Sequence, residues 1–220
     1  MWRKKKSPEP VPAPAPELRN TANNPHAFAL ASVFPPNVPE THEAAVVWRR
    51  FRACATIPDD CRLGAMAWCT GKPEQIRLGS RTICRGILLC DGGIGEIEIG
   101  DLVYIGDGAI ISTRERIRIG ARTLIAHGVQ IFDNDSHPVD ARERHEDYLA
   151  LLAGRPRPHA IGAAPVEIGE DCWLGVNSIV LKGVRIGARS VVAAGSVVTN
   201  DVDEDCVVAG NPARMVRSLK

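Results

Sequence analysis

Aliphatic residues recur at every sixth position between residues 166 and 199. They fall at Ile168, Leu174, Val180, Ile186, Val192 and Val198. Small residues stand four positions after most of them, at Cys172, Ser178, Ser190 and Ser196. A period of six is neither the 3.6 of an α-helix nor the 2.0 of an isolated strand. Short repeats of this kind are typical of β-solenoids, in which each repeat is stabilised by stacking on its neighbours.

The same register extends back to Ile57 and forms six groups of three hexads. The aliphatic positions of the first four groups are Ile57, Leu63 and Cys69; Leu78, Cys84 and Cys90; Ile99, Ile105 and Ile111; Ile119, Ile125 and Ile131. Five groups open with an apolar-x-apolar-Gly motif: IRLG, IEIG, IRIG, VEIG and VRIG. Extra residues fall between groups and never within one. A triangular coil explains this, because only a corner can bulge without breaking a ladder of strands.

The sequence therefore predicts an all-β protein, a parallel β-helix of about six triangular coils. The step from Ile131 to Ile168 exceeds one hexad by 31 residues, which predicts a long loop extruded at one corner, about residues 133–165. Residues 57–220 form the β-helix domain. Residues 41–56 carry Val47, Trp48 and Phe51 at helical spacing and predict a short helix that caps the open end. Residues 1–40 are rich in Pro and Ala and predict a flexible extension.

Composition narrows the functional classes. The 27 basic and 26 acidic residues nearly cancel, which argues against nucleic acid as a partner. No apolar run approaches the roughly 18–20 residues of a membrane span, and the charged N-terminus is followed by proline instead of a secretory core, so we expect a cytoplasmic protein. Seven cysteines without a CxxC pair argue against a disulfide framework or a cysteine-rich zinc site. Five of them occupy interior slots of the repeat: Cys61, Cys69, Cys84, Cys90 and Cys172.

The long loop contains three histidines. His137 comes six residues after the interior Ile131, so its position is tied to the rigid coil, as a catalytic group requires. His145 and His159 lie farther from the scaffold and are interpreted as surface residues. The spacing of the three matches no compact metal-ligand motif, and we expect no metal.

The hexad pattern, the segment Asp-Asn-Asp-Ser-His-Pro at 133–138 and the C-terminal segment 171–217 resemble the hexapeptide-repeat acyltransferases, in particular the maltose, galactoside and polysaccharide O-acetyltransferases. The resemblance implies a left-handed helix, a homotrimer and acetyl-CoA as co-substrate. It also implies that His137 is the general base, since histidine titrates near neutral pH and can take a hydroxyl proton and return it to the thiolate. Asp133, Asn134 or Asp135 could orient the imidazole, and the sequence does not choose among them.

Further site residues follow from the resemblance. The coenzyme is expected to contact Val176, Ala194, Thr199, Asn200, Arg214 and Arg217, of which the two arginines could meet phosphates. Asn200 stands where several relatives have lysine. Candidate acceptor contacts are Asp107, Asn134 and Trp173, while the early-coil asparagine that several relatives use for sugars has no counterpart here.

The function expected from these features is transfer of an acetyl group to a hydroxyl of a sugar or polysaccharide precursor. One alternative keeps the chemistry and changes the acceptor to an antibiotic or an amine. Two others change the class: a zinc enzyme resembling the β-helical carbonic anhydrases, and a non-catalytic trimeric scaffold. The sequence leaves open the identity of the acceptor and the length of the acyl group.

Overall fold

A computed structural model of the chain describes Val33–Phe34 and residues 43–220. The predicted flexible extension, residues 1–40, lies outside the described residues except for that one strand. Within the described part, short strands form three sheets around one axis, two α-helices lie outside the three sheets, and a 3-10 helix spans Asp91–Gly93. No helix of residues 43–220 is long and apolar enough to cross a lipid bilayer.

Strands are numbered in chain order. Sheet A contains β1 (Val33–Phe34), β2 (Arg62–Gly64), β5 (Ile83–Cys84), β8 (Tyr104–Ile105), β11 (Leu124–Ile125), β14 (Trp173–Leu174), β17 (Val191–Val192), β19 (Cys206–Gly210) and β20 (Ala213–Ser218). Sheet B contains β4 (Ile76–Leu78), β7 (Glu96–Ile99), β10 (Arg116–Ile119), β13 (Val166–Ile168) and β16 (Arg185–Ile186). Sheet C contains β3 (Trp68–Thr70), β6 (Ile87–Cys90), β9 (Ile110–Thr113), β12 (Gln130–Phe132), β15 (Ile179–Val180) and β18 (Val197–Val198).

Each coil visits sheets B, A and C in turn, and successive coils pair in parallel. Equivalent interior residues lie directly on one another, as Ile105, Ile125 and Leu174 do in sheet A. Every predicted aliphatic position from Leu63 to Val198 is buried, with at most 5% of its surface exposed. Ile57, at the open end, is partly buried. The predicted left-handed parallel β-helix is confirmed.

Neighbouring coils approach most closely where a glycine ends a strand of sheet B. A Cβ atom at Gly120 would lie 2.4 Å from the backbone nitrogen of Glu170 in the next coil. No side chain can occupy that space, so the glycine of the apolar-x-apolar-Gly motif is required by close approach of two backbones.

The coil register continues beyond its predicted end at Val198. Val202 forms a bridge with Ile186, and β19 pairs in parallel with β17, so a shortened seventh turn follows the sixth coil. Strand β20 then folds back antiparallel on β19. At the other edge of sheet A, β1 pairs antiparallel with β2. The parallel ladder of this sheet is therefore followed at each end by an antiparallel strand of the same chain, and the short β1 and the terminal β20 are its edge strands.

Helix α1 (Glu43–Cys54) lies at the open end of the solenoid. Val47, Trp48 and Phe51 are buried and belong to the same hydrophobic core as the coils. The thiol of Cys69 donates to the backbone oxygen of Phe51 at 3.6 Å. The helix thus supplies the apolar cover that an end coil lacks.

All seven cysteines are free thiols, and the five predicted interior cysteines are buried. Burial raises the pKa of the Cys84 thiol to about 12 and the pKa values of the Cys61 and Cys90 thiols to about 11. These groups remain protonated near neutral pH and act as small core side chains.

The outer faces of the three sheets differ in chemistry. The outward column of sheet B alternates in charge: Arg77, Glu98, Arg118, Glu167 and Arg185. The outward column of sheet A is apolar over six strands: Ile83, Tyr104, Leu124, Trp173, Val191 and Val207. Sheet C carries Trp68, Ile87, Ile110, Gln130, Ile179 and Val197. The charged outer face of sheet B is therefore suited to solvent exposure, whereas the largely apolar outer faces of sheets A and C are not.

The burial pattern predicts a large difference between two leucines. Leu174 is fully buried between the coils, whereas Leu152 at the end of the loop helix described below is 66% exposed. We expect Leu174→Ala to lower the free energy of unfolding by about 2–5 kcal/mol, because it leaves a cavity. We expect Leu152→Ala to change it by less than about 0.5 kcal/mol. Urea unfolding followed by circular dichroism measures both, and equal effects would contradict the burial described here.

Candidate active site

The candidate site lies at the corner where sheet C passes to sheet B, here called the loop corner. Asp133 is fully buried at its root. Its carboxylate accepts hydrogen bonds from the Thr113 hydroxyl at 2.6 Å, the Arg114 backbone N–H at 2.7 Å and the Glu115 backbone N–H at 2.8 Å. These three donors belong to the preceding coil. Asp133 therefore fastens the start of the long loop to the solenoid.

The next two residues also have structural partners. The Asn134 side-chain amide donates to Asp133 Oδ1 at 3.0 Å, and its oxygen accepts from the Ser136 backbone N–H at 2.9 Å. The Asp135 carboxylate binds the Lys182 ammonium of the following coil. In the structure the carboxylate that reaches the His137 ring comes from none of the three residues proposed from sequence.

A helix inside the loop supplies that carboxylate. Helix α2 (Ala141–Leu152) begins after Asp140, whose side chain accepts from the backbone N–H groups of Arg142 and Glu143. Such side-chain caps satisfy backbone donors at a helix start. Asp147, on α2, is fully buried, and its Oδ2 lies 3.1 Å from His137 Nδ1. The His137 side chain itself is 48% exposed, so part of it reaches solvent although Nδ1 contacts the carboxylate.

Asp147 is held by a second partner, Arg157, which follows the helix. Arg157 Nε donates to Asp147 Oδ1 at 2.8 Å and Nη2 donates to Oδ2 at 2.7 Å. The Arg157 guanidinium, and secondly His137, hold the pKa of the Asp147 carboxyl below its usual range. Asp147 in turn raises the pKa of Arg157. The carboxylate is therefore ionised and fixed at neutral pH.

A carboxylate in contact with Nδ1 selects one form of the imidazole. Arg157 Nη2 also lies 3.0 Å from Nδ1. Because an ionised carboxylate only accepts, a hydrogen bond between Nδ1 and Asp147 places the ring hydrogen on Nδ1. Nε2 then has a free lone pair. Such a ring can take a proton from a substrate, with the carboxylate stabilising the imidazolium that forms.

Other histidines of the described chain have different surroundings. His127 Nδ1 accepts from the Asp107 backbone N–H at 3.1 Å, so its hydrogen lies on Nε2 when the ring is neutral. His159 Nε2 lies 2.8 Å from Glu146 on the same loop, and His145 is exposed. Within residues 43–220 no group of three or more His, Cys, Asp or Glu side chains converges as a metal site would.

Part of the predicted coenzyme site lies at another corner, where sheet A passes to sheet C. The carbonyl oxygens of Asp107, His127 and Val176 accept from the backbone N–H groups of Gly128, Asn177 and Gly195 in the next coil at 2.8–3.0 Å. Asp107, His127, Val176 and Ala194 therefore lie in one column on successive coils. Val176 and Ala194 are exposed there. Asp107, predicted as an acceptor contact, is at the far end of this column, and its carboxylate accepts from Arg85 at 2.7 Å.

The remaining predicted coenzyme contacts lie at the C-terminal end of the solenoid. Asn200 and Arg214 line one cleft, and the Thr199 hydroxyl donates to Asn200 Oδ1 at 2.9 Å. Arg217 stands opposite Val207 on the terminal strand. Trp173 points outward from sheet A and is 53% exposed, next to Leu124. The residues predicted from sequence thus lie in several places on the solenoid. His137 and Asn134 are at the loop corner, Val176 and Ala194 are at the corner between sheets A and C, and Asn200 and Arg214 are at the C-terminal end.

Two functional candidates, Asp147 and Arg157, were missed by the sequence analysis. The available signal was the segment Asp140-Ala141-Arg142-Glu143, which has the side-chain cap followed by an acidic residue three positions later that marks a helix start. A helix placed there would have brought Asp147 onto an ordered element. Its burial against Arg157 depends on the path of the loop, which has no periodic signal.

Comparison with known proteins agrees with this architecture. A family model described as the hexapeptide repeat of succinyl-transferase matches residues 165–200. A Saccharomyces cerevisiae protein whose name classes it with acetyltransferases is 37% identical over 153 residues, which cover 67% of this chain and 71% of that protein. WbbJ, a lipopolysaccharide biosynthesis O-acetyl transferase of Escherichia coli, is 35% identical over 132 residues, covering 60% of this chain and 65% of WbbJ.

Solved structures share the fold. A hexapeptide-repeat acetyltransferase of Vibrio cholerae superposes with a TM-score of 0.54 and 28% identity, covering 84% of each chain. The polySia-specific acetyltransferase NeuO gives a TM-score of 0.58 at 24% identity, covering 73% of this chain and 69% of its own. The repeat, the fold and the extended match to the yeast protein together establish that this chain belongs to the hexapeptide-repeat acetyltransferases. It is an acyltransferase.

The lowered pKa of Asp147 predicts an acid-sensitive loop. The ion pair contributes to loop stability fully above the ordinary aspartate pKa of 3.8, and that contribution is lost as pH falls through the lowered folded-state value. We expect backbone amides of α2 to keep their hydrogen-exchange protection down to about pH 4 and to lose it below, relative to the coils. In Asp147→Asn the protection should be weaker and should lack this pH dependence. Identical profiles in both proteins would show that the pair does not order the loop.

Proposed function

We propose that this protein transfers an acetyl group from acetyl-CoA to a hydroxyl group of a sugar or polysaccharide precursor. The observation that carries the proposal is the contact of His137 Nδ1 with the buried, ionised Asp147, which leaves Nε2 free to act as a base. The acceptor class is supported by WbbJ, whose name assigns it O-acetyl transfer in lipopolysaccharide biosynthesis.

In the proposed reaction His137 Nε2 removes the proton from the acceptor hydroxyl as its oxygen attacks the thioester carbonyl carbon. A C–O bond forms, and negative charge develops on the carbonyl oxygen. Asp147 stabilises the resulting imidazolium through Nδ1. When the C–S bond breaks, His137 returns the proton to the leaving thiolate, so that the products are the acetyl ester and the free thiol. One histidine thus serves as base and then as acid.

The donor is proposed to lie along the corner column and the C-terminal cleft. Val176 and Ala194 present small, exposed side chains on adjacent coils, which lets an extended pantetheine arm lie close to the backbone. Arg214 and Arg217 on the exposed terminal strand could bind phosphates. Asn200 lines the same cleft as Arg214, and Thr199 donates a hydrogen bond to it. The acceptor contacts of Asp107, Asn134 and Trp173 stay predictions, and Asn134 already uses its amide within the loop root.

We further propose that the protein is a homotrimer. The outward column of sheet A and, apart from Gln130, that of sheet C are apolar, whereas the column of sheet B is fully charged. Apolar patches of this extent on a single chain mark interaction sites. Contact of sheet A on one copy with sheet C on the next is head-to-tail and can close into a ring, and three copies follow from the family resemblance. Cytoplasm is the proposed compartment because all seven thiols are free.

Labelled acetyl-CoA and a panel of sugars, nucleotide sugars, amines and aminoglycosides test the activity directly. We expect transfer to a hydroxyl acceptor, and a fall of about 10²–10⁴-fold in turnover for His137→Ala, the usual effect of removing a general base. His145→Ala, an exposed position on the same loop, is the matched control and should retain full turnover. Both variants should still be stabilised by coenzyme A in a thermal-shift assay, because the donor site lies elsewhere.

Several outcomes would overturn this assignment. His137→Ala with most of its turnover would remove the residue from the mechanism. Transfer to amines alone would change the acceptor class. Stoichiometric zinc in the purified protein, lost in His137→Ala, would favour a metal enzyme, and no stabilisation by millimolar coenzyme A would favour a non-catalytic scaffold.

The trimer is tested by sedimentation. We expect the wild type to sediment as three 23.7 kDa chains. Leu124→Lys, in the apolar column of sheet A, should shift the distribution to monomer, because a charge at a buried contact is costly. Glu96→Lys, on charged sheet B, introduces the same group and should leave the trimer intact. A wild-type monomer, or dissociation by both substitutions alike, would contradict the assigned interface.

A further inference from the structure

Arg157 occupies a position that no comparison or motif assigns. It is 17% exposed and lies between the Asp147 carboxylate and the His137 ring. Its Nη2 nitrogen is close to three acceptors: Asp147 Oδ2 at 2.7 Å, the Ser136 backbone oxygen at 2.7 Å, and His137 Nδ1 at 3.0 Å. The third contact matters, because a hydrogen bond from Arg157 to Nδ1 would leave the ring hydrogen on Nε2 and prevent it from acting as a base.

The number of hydrogens resolves this competition. A terminal guanidinium nitrogen carries two. The two shorter contacts, to the ionised Asp147 and to the Ser136 oxygen, take both. Nδ1 therefore receives none from Arg157 and donates its own hydrogen to Asp147 Oδ2, which has room for two donors. Because both Nη2 hydrogens of Arg157 are used by Asp147 and Ser136, His137 keeps its hydrogen on Nδ1 and the lone pair of Nε2 is free.

Charge is the second effect of Arg157. A buried carboxylate without a partner favours the protonated, positively charged form of an adjacent imidazole. The charged groups facing the His137 ring are Asp147, from α2, and Arg157, from the segment after it. Together they carry no net charge, so the ring is oriented by a carboxylate without facing an uncompensated negative charge. Lys182 and Asp135 at the loop root form their own pair.

Arg157 is also connected to the solenoid. The Asp91 carboxylate, in the turn that follows β6, lies 3.5 Å from Arg157 Nη1 and accepts from Arg114 Nη1 at 2.8 Å. Arg114 follows β9 in the next coil. The chain of contacts therefore runs from two successive coils through Asp91 and Arg157 to Asp147, and ends at His137.

We propose that Arg157 is a positioning residue for the acyl-transfer reaction: it fixes His137 in the Nδ1–H tautomer and neutralises the charge of Asp147 beside the ring, while Asp91 fastens Arg157 to the coils. This inference rests on the function proposed above for His137.

Three variants test the role. Arg157→Gln removes the charge, and we expect kcat to fall about tenfold or more at pH 7, with the acid limb of the kcat/KM profile displaced upward by about one pH unit. The KM for acetyl-CoA should change less than about twofold, since a positioning residue acts through the chemical step.

Arg157→Lys keeps the charge but cannot reproduce the planar set of contacts, so the acid limb should stay near the wild-type position while kcat falls. Arg155→Gln, exposed in the same segment, is the matched control and should match the wild type.

The tautomer can be measured without turnover. In protein labelled with ¹⁵N-histidine, the signals lost in His137→Ala identify this ring, and in the wild type we expect a protonated Nδ1 and an unprotonated Nε2 at pH above the acid limb. Arg157→Gln should shift this ring towards the imidazolium at the same pH.

The two measurements separate the two claims. A folded Arg157→Gln protein with the wild-type acid limb and the wild-type tautomer would overturn the role of Arg157 and leave the proposed function standing. A wild type that transfers no acyl group would overturn the proposed function, while the ¹⁵N spectra still decide whether Arg157 fixes the tautomer. If Arg157→Gln does not fold, the wild-type ¹⁵N spectrum provides the test: a neutral His137 ring with its hydrogen on Nδ1 supports the role, and a ring with its hydrogen on Nε2 contradicts it.

Discussion

Parallel pairing between successive coils requires each coil to lie directly on the one before it, at the spacing of about 4.8 Å between adjacent strands. The backbones are so close at the end of sheet B that no Cβ atom fits at Gly120. Inside, one aliphatic side chain per face fills each layer, and Ile105, Ile125 and Leu174 show how equivalent residues stack. A residue added within a strand would move every later side chain to the wrong face. Insertions of different length are therefore confined to the corners between sheets.

This confinement explains where the candidate chemistry lies. The loop corner collects Asp91, Arg114 and Asp133 from three successive coils, and the long loop brings Asp147 and Arg157 back to the same place. The rigid parts of the candidate site come from the coils, and the contact between His137 and Asp147 on which the proposed catalysis depends comes from the insertion. A functional group on such a loop keeps its position only if the loop is fastened at several points. Asp133, Asp135 and Arg157 provide those points, and each is itself paired with a group of opposite charge or with backbone donors.

The sequence predicted the coils well, because their spacing follows from a strict physical constraint that leaves a periodic record. Each interior position from Leu63 to Val198 could be assigned from a count of six. His137 could be proposed because it follows Ile131 by one such step. Asp147 could not, since the path of an inserted segment depends on contacts between residues far apart in sequence, here Asp147, Arg157 and Asp91. The solenoid also continues past Val198, the end predicted from sequence. Val202 follows Val198 by four residues instead of six, so the six-residue spacing did not reveal the last turn.

The two antiparallel strands at the edges of sheet A have a consequence for how this protein can change in length. Strand β1 pairs with β2 at one end of sheet A, and β20 pairs with β19 at the other. Their pairing does not depend on how many coils lie between them. Duplication or deletion of one complete coil would keep both ends closed and the layers in register, so the height of the solenoid is a variable that evolution or protein engineering can alter in whole units.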